Sequence, residues 1–167
     1  MPLGAPPASD ELARLPSRPL AGSTLHRVHR AGRSPWWFAS IAPGDDPGTH
    51  GRFDLPHPLG SCYLATTLAG ALVEALADLG PALIPDSELA ARRWATIRAP
   101  RTAPAAAWLT AKRSRATGVT AALWAGENRA LTQAWAWALL RAGWRALFTG
   151  VQHDPAGQLR AVTLLDQ

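Results

Sequence analysis

The segment from Gly51 to Glu74 restricts the fold more than any other part of this sequence. A stretch rich in proline and glycine leads into the short apolar run Ser61–Ala65, and two threonines then precede a helical pattern. A short apolar run bounded by turn residues is typical of a buried strand. Either threonine can cap the helix, which we predict to run to about Leu79 and to end at Gly80. The segment therefore predicts a buried strand followed directly by a helix.

The predicted helix is amphipathic, and its glutamate lies off the apolar side. At 100° per residue, the apolar stripe consists of Leu68, Leu72, Ala75, Leu76 and Leu79. Glu74 lies roughly 130° from the centre of that stripe. A glutamate in such a position is most often solvated, but small residues one helical turn away leave room for a ligand or a backbone to approach it. Both interpretations stay open on helical geometry alone.

Length and composition indicate one folded domain. The chain has 167 residues, of which 47% are hydrophobic and 17% charged, and this balance argues against general disorder. The net charge of +5 comes almost entirely from arginine, since Lys112 is the single lysine. Arginine suits phosphate and carboxylate groups, so the charge favours an anionic ligand, although a GC-biased genome produces the same composition. We expect no direct nucleic-acid binding, because the sequence has no basic run and no reader-module fingerprint.

Cysteine and histidine usage argues against cross-links and metal sites. Cys62 is the sole cysteine, so neither an intramolecular disulfide nor a cysteine cluster for zinc can form, and we expect it to pack in the core. The five histidines never take the spacing of a helical metal site, and we expect no metal. The sequence has neither a signal-peptide pattern nor a run of about 18 apolar residues, which predicts a cytoplasmic protein without membrane association.

The N-terminal part divides into an arm and the start of a domain. Residues 1–19 hold five prolines and little periodicity, which predicts a flexible arm ahead of a domain that spans residues 20–167. The segment Thr24–Arg30 alternates in character and is rich in β-formers. It therefore predicts a strand in which Arg27 lies on the same face as Leu25.

The C-terminal part predicts a helix and a pair of strands. Asn128 can cap a helix from Arg129 to about Ala142. Two apolar segments, 144–151 and 158–165, flank a turn and are typical of paired strands, which we place as a hairpin at the edge of the sheet. Between residues 105 and 127 the pattern is too weak for an assignment.

Four side chains together match the chemistry of a nucleotide ligand. Arg27 and Arg52 can neutralise a diphosphate by charge-assisted hydrogen bonds, and Tyr63 can stack on a planar ring. Glu74 can hold ribose hydroxyls. Such a set suits a nucleotide that carries a positively charged leaving base. Cleavage at that glycosidic bond passes through an oxocarbenium-like state, which a fixed carboxylate stabilises.

Several short motifs resemble those of the RES domain family, which is named for its arginine, glutamate and serine. They are Leu25-His26-Arg27-Val28-His29, Gly51-Arg52-Phe53-Asp54, Tyr63-Leu64-Ala65-Thr66 with the downstream Glu74, Thr132-Gln133-Ala134-Trp135-Ala136, and His153-Asp154-Pro155 with the strand-like segment 161–166 after it. The resemblance covers about Leu25 to Asp166 and is loose between Pro81 and Ala130.

The resemblance implies a fold, an activity and a partner. The fold is α+β, similar to ADP-ribosyltransferases, with a split central β-sheet, flanking helices and NAD⁺ bound in a cleft. The activity is that of the toxin half of a bacterial toxin–antitoxin pair, which degrades NAD⁺ as a phosphorylase or glycohydrolase that cleaves the nicotinamide–ribose bond without a metal. The implied partner is an antitoxin with an Xre-type helix-turn-helix that blocks the cleft; a homodimer is left open.

The resemblance also gives roles to four residues. Arg27 and Arg52 would hold phosphate groups of NAD⁺, and Tyr63 would contact the nicotinamide end. Glu74 would bind the ribose hydroxyls and stabilise the transition state. We therefore predict Arg27, Arg52 and Glu74 as the catalytic set and all four residues as the ligand-binding set.

The chain departs from the family pattern in one late strand. The family's serine belongs just before the His-Asp-Pro turn, where this sequence reads Leu147-Phe148-Thr149-Gly150-Val151-Gln152. Thr149 offers a hydroxyl from a neighbouring position, which strand alternation predicts to point the wrong way. Two alternatives to an active enzyme stay open. One is a degenerate RES protein that binds a nucleotide or a protein partner without turnover, and the other is an interaction domain that uses the tryptophans and the basic surface.

Overall fold

The chain folds into strands and short helices, and this computed structural model describes residues 2–76 and 83–165. The strands are β1 (Ser17–Arg18), β2 (Thr24–Arg30), β3 (Ser40–Ile41), β4 (Leu55–Pro56), β5 (Ser61–Ala65), β6 (Arg92–Arg98), β7 (Ala106–Trp108), β8 (Ala146–Gly150) and β9 (Arg160–Leu165). The helices are α1 (Ser9–Ala13), α2 (Leu68–Leu76), α3 (Asp86–Ala90), α4 (Ala122–Ala125) and α5 (Arg129–Arg141). No helix within these described ranges combines the length and the apolar character needed to cross a bilayer.

A mixed central sheet with the strand order β1-β7-β8-β9-β5-β2-β6 organises the fold. β7 and β8 run parallel, and the other neighbours in this sheet are antiparallel. β2 and β6 pair along their whole length, whereas β2 and β5 share a single registered pair in the described chain, His26 with Ala65. The sheet is therefore split between β2 and β5. The predicted α+β class, with a split central sheet and flanking helices, is confirmed.

The two faces of the sheet pack into two apolar cores. Along β5, Tyr63 faces the first core, and Cys62 and Leu64 face the second. The first core joins the sheet to α1 and α5 and includes Leu12, Phe53, Trp135, Leu139, Leu147 and Leu165. The second core includes Leu25, Cys62, Leu64, Ile97, Phe148 and Val162. The predicted core position of Cys62 is confirmed.

Local sequence signals located several element boundaries. β2 and β5 occupy the predicted segments, and the Thr67 hydroxyl accepts a hydrogen bond from the Gly70 N–H at 3.1 Å at the start of α2. The Asn128 side chain accepts from the Leu131 N–H at 3.0 Å and caps α5. These caps satisfy backbone donors that the first turn of a helix leaves unpaired. The predicted end of α2 near Leu79 lies outside the described residues.

The N-terminal segment packs against the domain, which differs from the flexible arm predicted for residues 1–19. Leu12 is fully buried and Leu15 nearly so, and both belong to the first core. The Trp144 indole donates to the Leu12 carbonyl at 2.9 Å, and β1 pairs with β7. The prolines interrupt regular structure in this segment, but its two leucines bury enough apolar surface to dock it.

The predicted apolar stripe of α2 is confirmed at Leu76, which is buried, but not at two of its other leucines. Leu68 and Leu72 remain 38% and 40% exposed, whereas Gly70 and Ala71 are buried. The small side of the helix packs on the sheet because the approach is close: a Cβ added at Gly70 would lie 3.1 Å from the Cβ of Ala65. As a result, α2 turns Glu74 towards the interior side of the fold and Leu68 and Leu72 outward.

The predicted C-terminal strands exist, but their predicted place in the sheet is wrong. β8 and β9 pair antiparallel around the turn, yet β7 lies on the other side of β8 and β5 on the other side of β9. Every residue of β8 is buried. A strand that is covered on both faces reads as a nearly unbroken apolar run, and Ala146–Phe148 shows this feature. The pair is thus central in the sheet.

Candidate functional site

A cleft of about 420 Å³ lies where β2 and β5 diverge, and the four predicted ligand-binding residues all border it. Its volume falls within the range of small-molecule sites, about 300–1,000 Å³. Arg27 lies on β2, Tyr63 on β5 and Glu74 on α2, while Arg52 lies in the loop before β4. The structure thus brings together residues that are up to 47 positions apart in the sequence.

The Arg52 turn, which we define as Gly51–Asp54, is held by hydrogen bonds along its backbone. The Asp54 N–H donates to the Gly51 carbonyl at 3.1 Å, and the Gly51 N–H donates to Asp54 Oδ2 at 2.8 Å. The Phe53 N–H donates to the Tyr63 hydroxyl at 2.9 Å, and the Phe53 carbonyl accepts from the Ser61 hydroxyl. The backbone around Arg52 is therefore fixed before any ligand arrives.

Helix α5 supports the same turn from the other side. The Thr132 hydroxyl donates to the Arg52 carbonyl at 2.7 Å. Gln133 Nε2 donates to the Gly51 carbonyl at 3.0 Å and to the Pro47 carbonyl at 2.9 Å. Both side chains are buried, and each satisfies backbone acceptors that would otherwise be costly to bury. The motif Thr132-Gln133 had no role assigned from sequence, and the structure gives it this one.

Tyr63 uses its hydroxyl within the protein. The hydroxyl donates to Asp54 Oδ1 at 2.7 Å while it accepts from Phe53 N–H. Burial of the phenol, followed by the nearby Asp54 carboxylate, raises the pKa of Tyr63 well above its ordinary value. The phenol is therefore neutral over the physiological pH range, and its proton stays on the bond to Asp54.

Arg52 is 5% exposed, and a hydrogen bond to a loop carbonyl orients its guanidinium. Nη1 donates to the Gly126 carbonyl, which lies between α4 and α5. A Cβ added at Gly126 would lie 2.5 Å from the Ala122 carbonyl oxygen, so this close loop requires glycine. A guanidinium stays protonated in proteins, so Arg52 contributes a fixed positive charge to the cleft.

Arg27 borders the cleft, but its guanidinium is anchored on the side of the sheet where Cys62 faces the second core, opposite to the side of Tyr63. Nη1 donates to the Pro35 carbonyl at 2.5 Å and to Cys62 Sγ at 2.7 Å. Burial is the main cause that lowers the pKa of Arg27, and burial likewise raises the pKa of the Cys62 thiol. Cys62 is thus a neutral thiol at physiological pH, and Arg27 keeps its charge because its ordinary pKa is so high.

Glu74 is positioned by α2 and by the loop after β8. Its Oε1 atom accepts a hydrogen bond from the Gln152 N–H at 3.1 Å. Ala71 and Ala75, which flank Glu74 on the helix, also border the cleft and leave it open on that side. Of the two interpretations of Glu74 that helical geometry left open, the structure favours the one in which a ligand or a backbone approaches the carboxylate. Gln152 was not singled out from the sequence, although it directly precedes the His-Asp-Pro motif.

Two threonines of the central strands border the cleft as well. Thr149 on β8 lies opposite Ala161 on β9 in the register, and Thr163 lies opposite Tyr63. Thr149, Thr163 and Ala161 all border the cleft. The expectation that Thr149 points away from the site is therefore wrong, because this position of β8 shares the face of β5 and β9 that the cleft uses.

The charges around the cleft favour an anion. Arg27, Arg52 and Arg129 border it, and Glu74 is the acidic residue among its described lining residues. Trp124 adds an aromatic wall that also borders a second cavity of about 380 Å³. Within the described ranges, no three histidine, cysteine or acidic side chains are grouped to hold a metal ion. The site thus combines fixed positive charge, aromatic surface and one carboxylate.

Comparisons with known proteins identify the family and a similar fold. The family model described as the RES domain matches residues 24–166. No curated protein matches the chain. Among solved structures, a chain in the crystal structure of the M. tuberculosis MbcT–MbcA toxin–antitoxin complex is similar in fold, with a TM-score of 0.66 and 20% identity over 94% of this chain and 79% of that chain. Because the RES domain model matches residues 24–166, this chain belongs to the RES domain family.

Proposed function

We propose that this protein is a toxin-type enzyme that degrades NAD⁺ by cleaving the bond between nicotinamide and ribose. The observation that carries the proposal is the cleft, where the Arg52 turn, Arg27, Tyr63 and Glu74 meet. A dinucleotide presents a diphosphate, two planar rings and ribose hydroxyls. The cleft offers arginines for the first, aromatic side chains for the second and a carboxylate for the third.

The proposed chemistry depends on Glu74. When the bond between ribose C1′ and the nicotinamide nitrogen breaks, its electron pair leaves with nicotinamide, and positive charge develops on the ribose. A carboxylate held close to that ring stabilises the charge. The Gln152 N–H fixes one oxygen of Glu74, so the carboxylate is oriented in advance. An oxygen of phosphate or of water then bonds to C1′, and water releases a proton in doing so.

The arginines bind rather than react in this proposal. Arg52 is held by its turn and by the Gly126 carbonyl, so little side-chain entropy remains to be lost when a phosphate group binds. Arg27 adds a second charge from β2, and its guanidinium is held by Cys62 of β5 and by the Pro35 carbonyl. NAD⁺ is the substrate, and no metal is needed for this reaction because two guanidinium groups can neutralise the diphosphate.

The proposed partner is an antitoxin that covers the cleft. The solved structure with the similar fold is a toxin–antitoxin complex. RES proteins, as the sequence resemblance implies, pair with an Xre-type helix-turn-helix antitoxin. The net charge of +5 favours an acidic contact surface on such a partner.

The test measures NAD⁺ loss and nicotinamide release by the purified protein, with and without phosphate. Glu74→Gln keeps the size of the side chain and removes its charge, and Glu11→Gln, an exposed position on α1, is the matched control. We expect Glu74→Gln to lower turnover by about 10²–10³ and the control to have no effect. A phosphorylated ADP-ribose formed with phosphate would identify a phosphorylase, and free ADP-ribose a glycohydrolase.

A second candidate function is nucleotide binding without turnover. The observation in its favour is that the segment before the His-Asp-Pro turn, residues 147–152, contains no serine. If NAD⁺ raises the melting temperature of the parent while no nicotinamide is released, the enzyme proposal is wrong and this second function stands. Equal turnover by the parent and by Glu74→Gln would contradict the assigned role of the carboxylate.

A further inference from the structure

The hydrogen bonds of Tyr63 lead to an inference that rests on the proposed function and deepens it. A tyrosine hydroxyl has one proton to donate and two lone pairs to accept with. In this structure the proton goes to Asp54 Oδ1 and one lone pair accepts the Phe53 N–H. The hydroxyl therefore forms its hydrogen bonds with the Arg52 turn, and not with the open part of the cleft.

Asp54 completes the link. Asp54 is 3% exposed, and its two carboxylate oxygens accept from the Tyr63 hydroxyl and from the Gly51 N–H. His50 Nδ1 lies 3.9 Å from Oδ2 of the same group. A buried carboxylate is costly unless hydrogen bonds compensate for lost water. Removing either the phenol hydroxyl or the Gly51 contact thus disturbs the whole arrangement.

Arg52 is the residue that this arrangement orients. It lies between Gly51 and Phe53, whose N–H groups donate to Asp54 and Tyr63. Its own carbonyl is held by Thr132 of α5. Side-chain direction depends on the backbone dihedrals beneath it, so a turn that is held this firmly fixes where the guanidinium points.

We propose that Tyr63 and Asp54 are positioning residues, which hold the Arg52 turn in its ligand-binding form, and that the Tyr63 hydroxyl acts on the ligand through Arg52. The aromatic ring remains free to border the ligand, as its place in the cleft wall indicates. This role differs from a hydroxyl that contacts the nicotinamide or transfers a proton.

The experiment removes single hydroxyl or carboxylate groups and separates binding from turnover. Tyr63→Phe keeps the ring and loses the hydroxyl. Ser114→Ala is the matched control, because Ser114 is a buried hydroxyl that donates to the Trp108 carbonyl at 2.6 Å away from the cleft lining. Each variant is measured for KM and kcat with NAD⁺ and for the affinity of ADP-ribose, alone and combined with Arg52→Ala.

The positioning role predicts a specific pattern. Tyr63→Phe weakens ADP-ribose binding and raises KM, each by about tenfold, with the effect falling on KM rather than kcat. In the Arg52→Ala background the same change adds nothing, because residues that act as one unit are not additive. Asp54→Ala behaves like Tyr63→Phe, whereas Asp54→Asn, which can still accept from the Gly51 N–H, keeps most of the affinity.

Two results would overturn the positioning role. One is a loss of kcat in Tyr63→Phe with unchanged ADP-ribose affinity, and the other is an additive effect on top of Arg52→Ala. If the parent binds neither NAD⁺ nor ADP-ribose, the proposed function fails instead. Amide hydrogen exchange then decides the positioning role: faster exchange at Gly51 and Phe53 in Tyr63→Phe supports it, and unchanged exchange overturns it.

Discussion

Gly51→Ala tests whether the Arg52 turn is as rigid as its contacts indicate. A Cβ at this position would lie 2.6 Å from the Tyr63 hydroxyl oxygen and 2.7 Å from Asp54 Oδ1, well inside ordinary contact distance. The turn has little freedom to move aside, because Asp54 holds the Gly51 N–H and Gln133 holds its carbonyl. The methyl group must therefore break the contact between Tyr63 and Asp54 or distort the turn.

The cost follows from these contacts. Overpacking by one methyl group costs about 1–3 kcal/mol. A buried acceptor that loses its hydrogen bond adds about 1–3 kcal/mol. We take about 3 kcal/mol of lost unfolding free energy as the combined value, because the overpacking and the lost hydrogen bond involve the same groups and their costs do not add in full. For a domain of this size, that loss lowers the melting temperature by about 6–12 °C.

The assay compares Gly51→Ala with Gly32→Ala by thermal and urea unfolding, and by ADP-ribose affinity. Gly32 is the matched control, because an added Cβ there meets no heavy atom within 4 Å. We expect Gly51→Ala to lose stability and ligand affinity together and Gly32→Ala to lose neither. If the two variants melt within about 1 °C of each other and bind ADP-ribose equally, the turn is not held as described and the reasoning for Arg52 is refuted.

Two further predictions concern the N-terminal segment and the turn before β9. Leu12→Ala, at a fully buried position, should lower the free energy of unfolding in urea by about 2–5 kcal/mol. Leu83→Ala, at a position that is 87% exposed, should have nearly the stability of the parent. Equal stabilities of the two variants would support the flexible arm instead. Asp154 accepts from the Leu159 and Ala156 N–H groups, and these bonds, the Leu159 one first, lower its pKa. Because the folded-state pKa lies below the unfolded one, the carboxylate stabilises the fold above about pH 3.9 and loses this effect as the pH falls through the lowered pKa. The stability difference between the parent and Asp154→Asn, measured by urea unfolding at several pH values, should therefore be larger at pH 6 than at pH 2. A difference that is independent of pH would contradict this.

Short-range signals were enough to locate several elements and the candidate site. β5 and the caps at Thr67 and Asn128 depend on neighbouring residues, so the sequence predicts them directly. The order of Arg52, Tyr63 and Glu74 carried the resemblance to the RES family, and these side chains border one cleft. Their assigned roles stay predictions.

Long-range packing explains what the sequence did not predict. Helical periodicity places Leu68 and Leu72 on an apolar stripe of α2, which would normally face the core. The helix lies so close to the sheet, however, that its side with Gly70 and Ala71 packs there instead. The edge position of the hairpin was wrong because strand order depends on partners far away in the chain. The hydrogen bond from the Thr132 hydroxyl to the Arg52 carbonyl joins residues 80 positions apart, and no local sequence pattern predicts such a contact.

The split between β2 and β5 has a mechanical consequence. The β2–β6 ladder runs through seven registered pairs and the β5–β9 ladder through five, while in the described chain one pair, His26 with Ala65, joins the two. Few backbone hydrogen bonds therefore join the two ladders, and we expect the width of the cleft to change more readily than the spacing of strands within either ladder. Helix α2 packs against β2 as well as against β5 and β9, so it already connects the two ladders, and a ligand bound to both Arg27 and Glu74 would strengthen that connection.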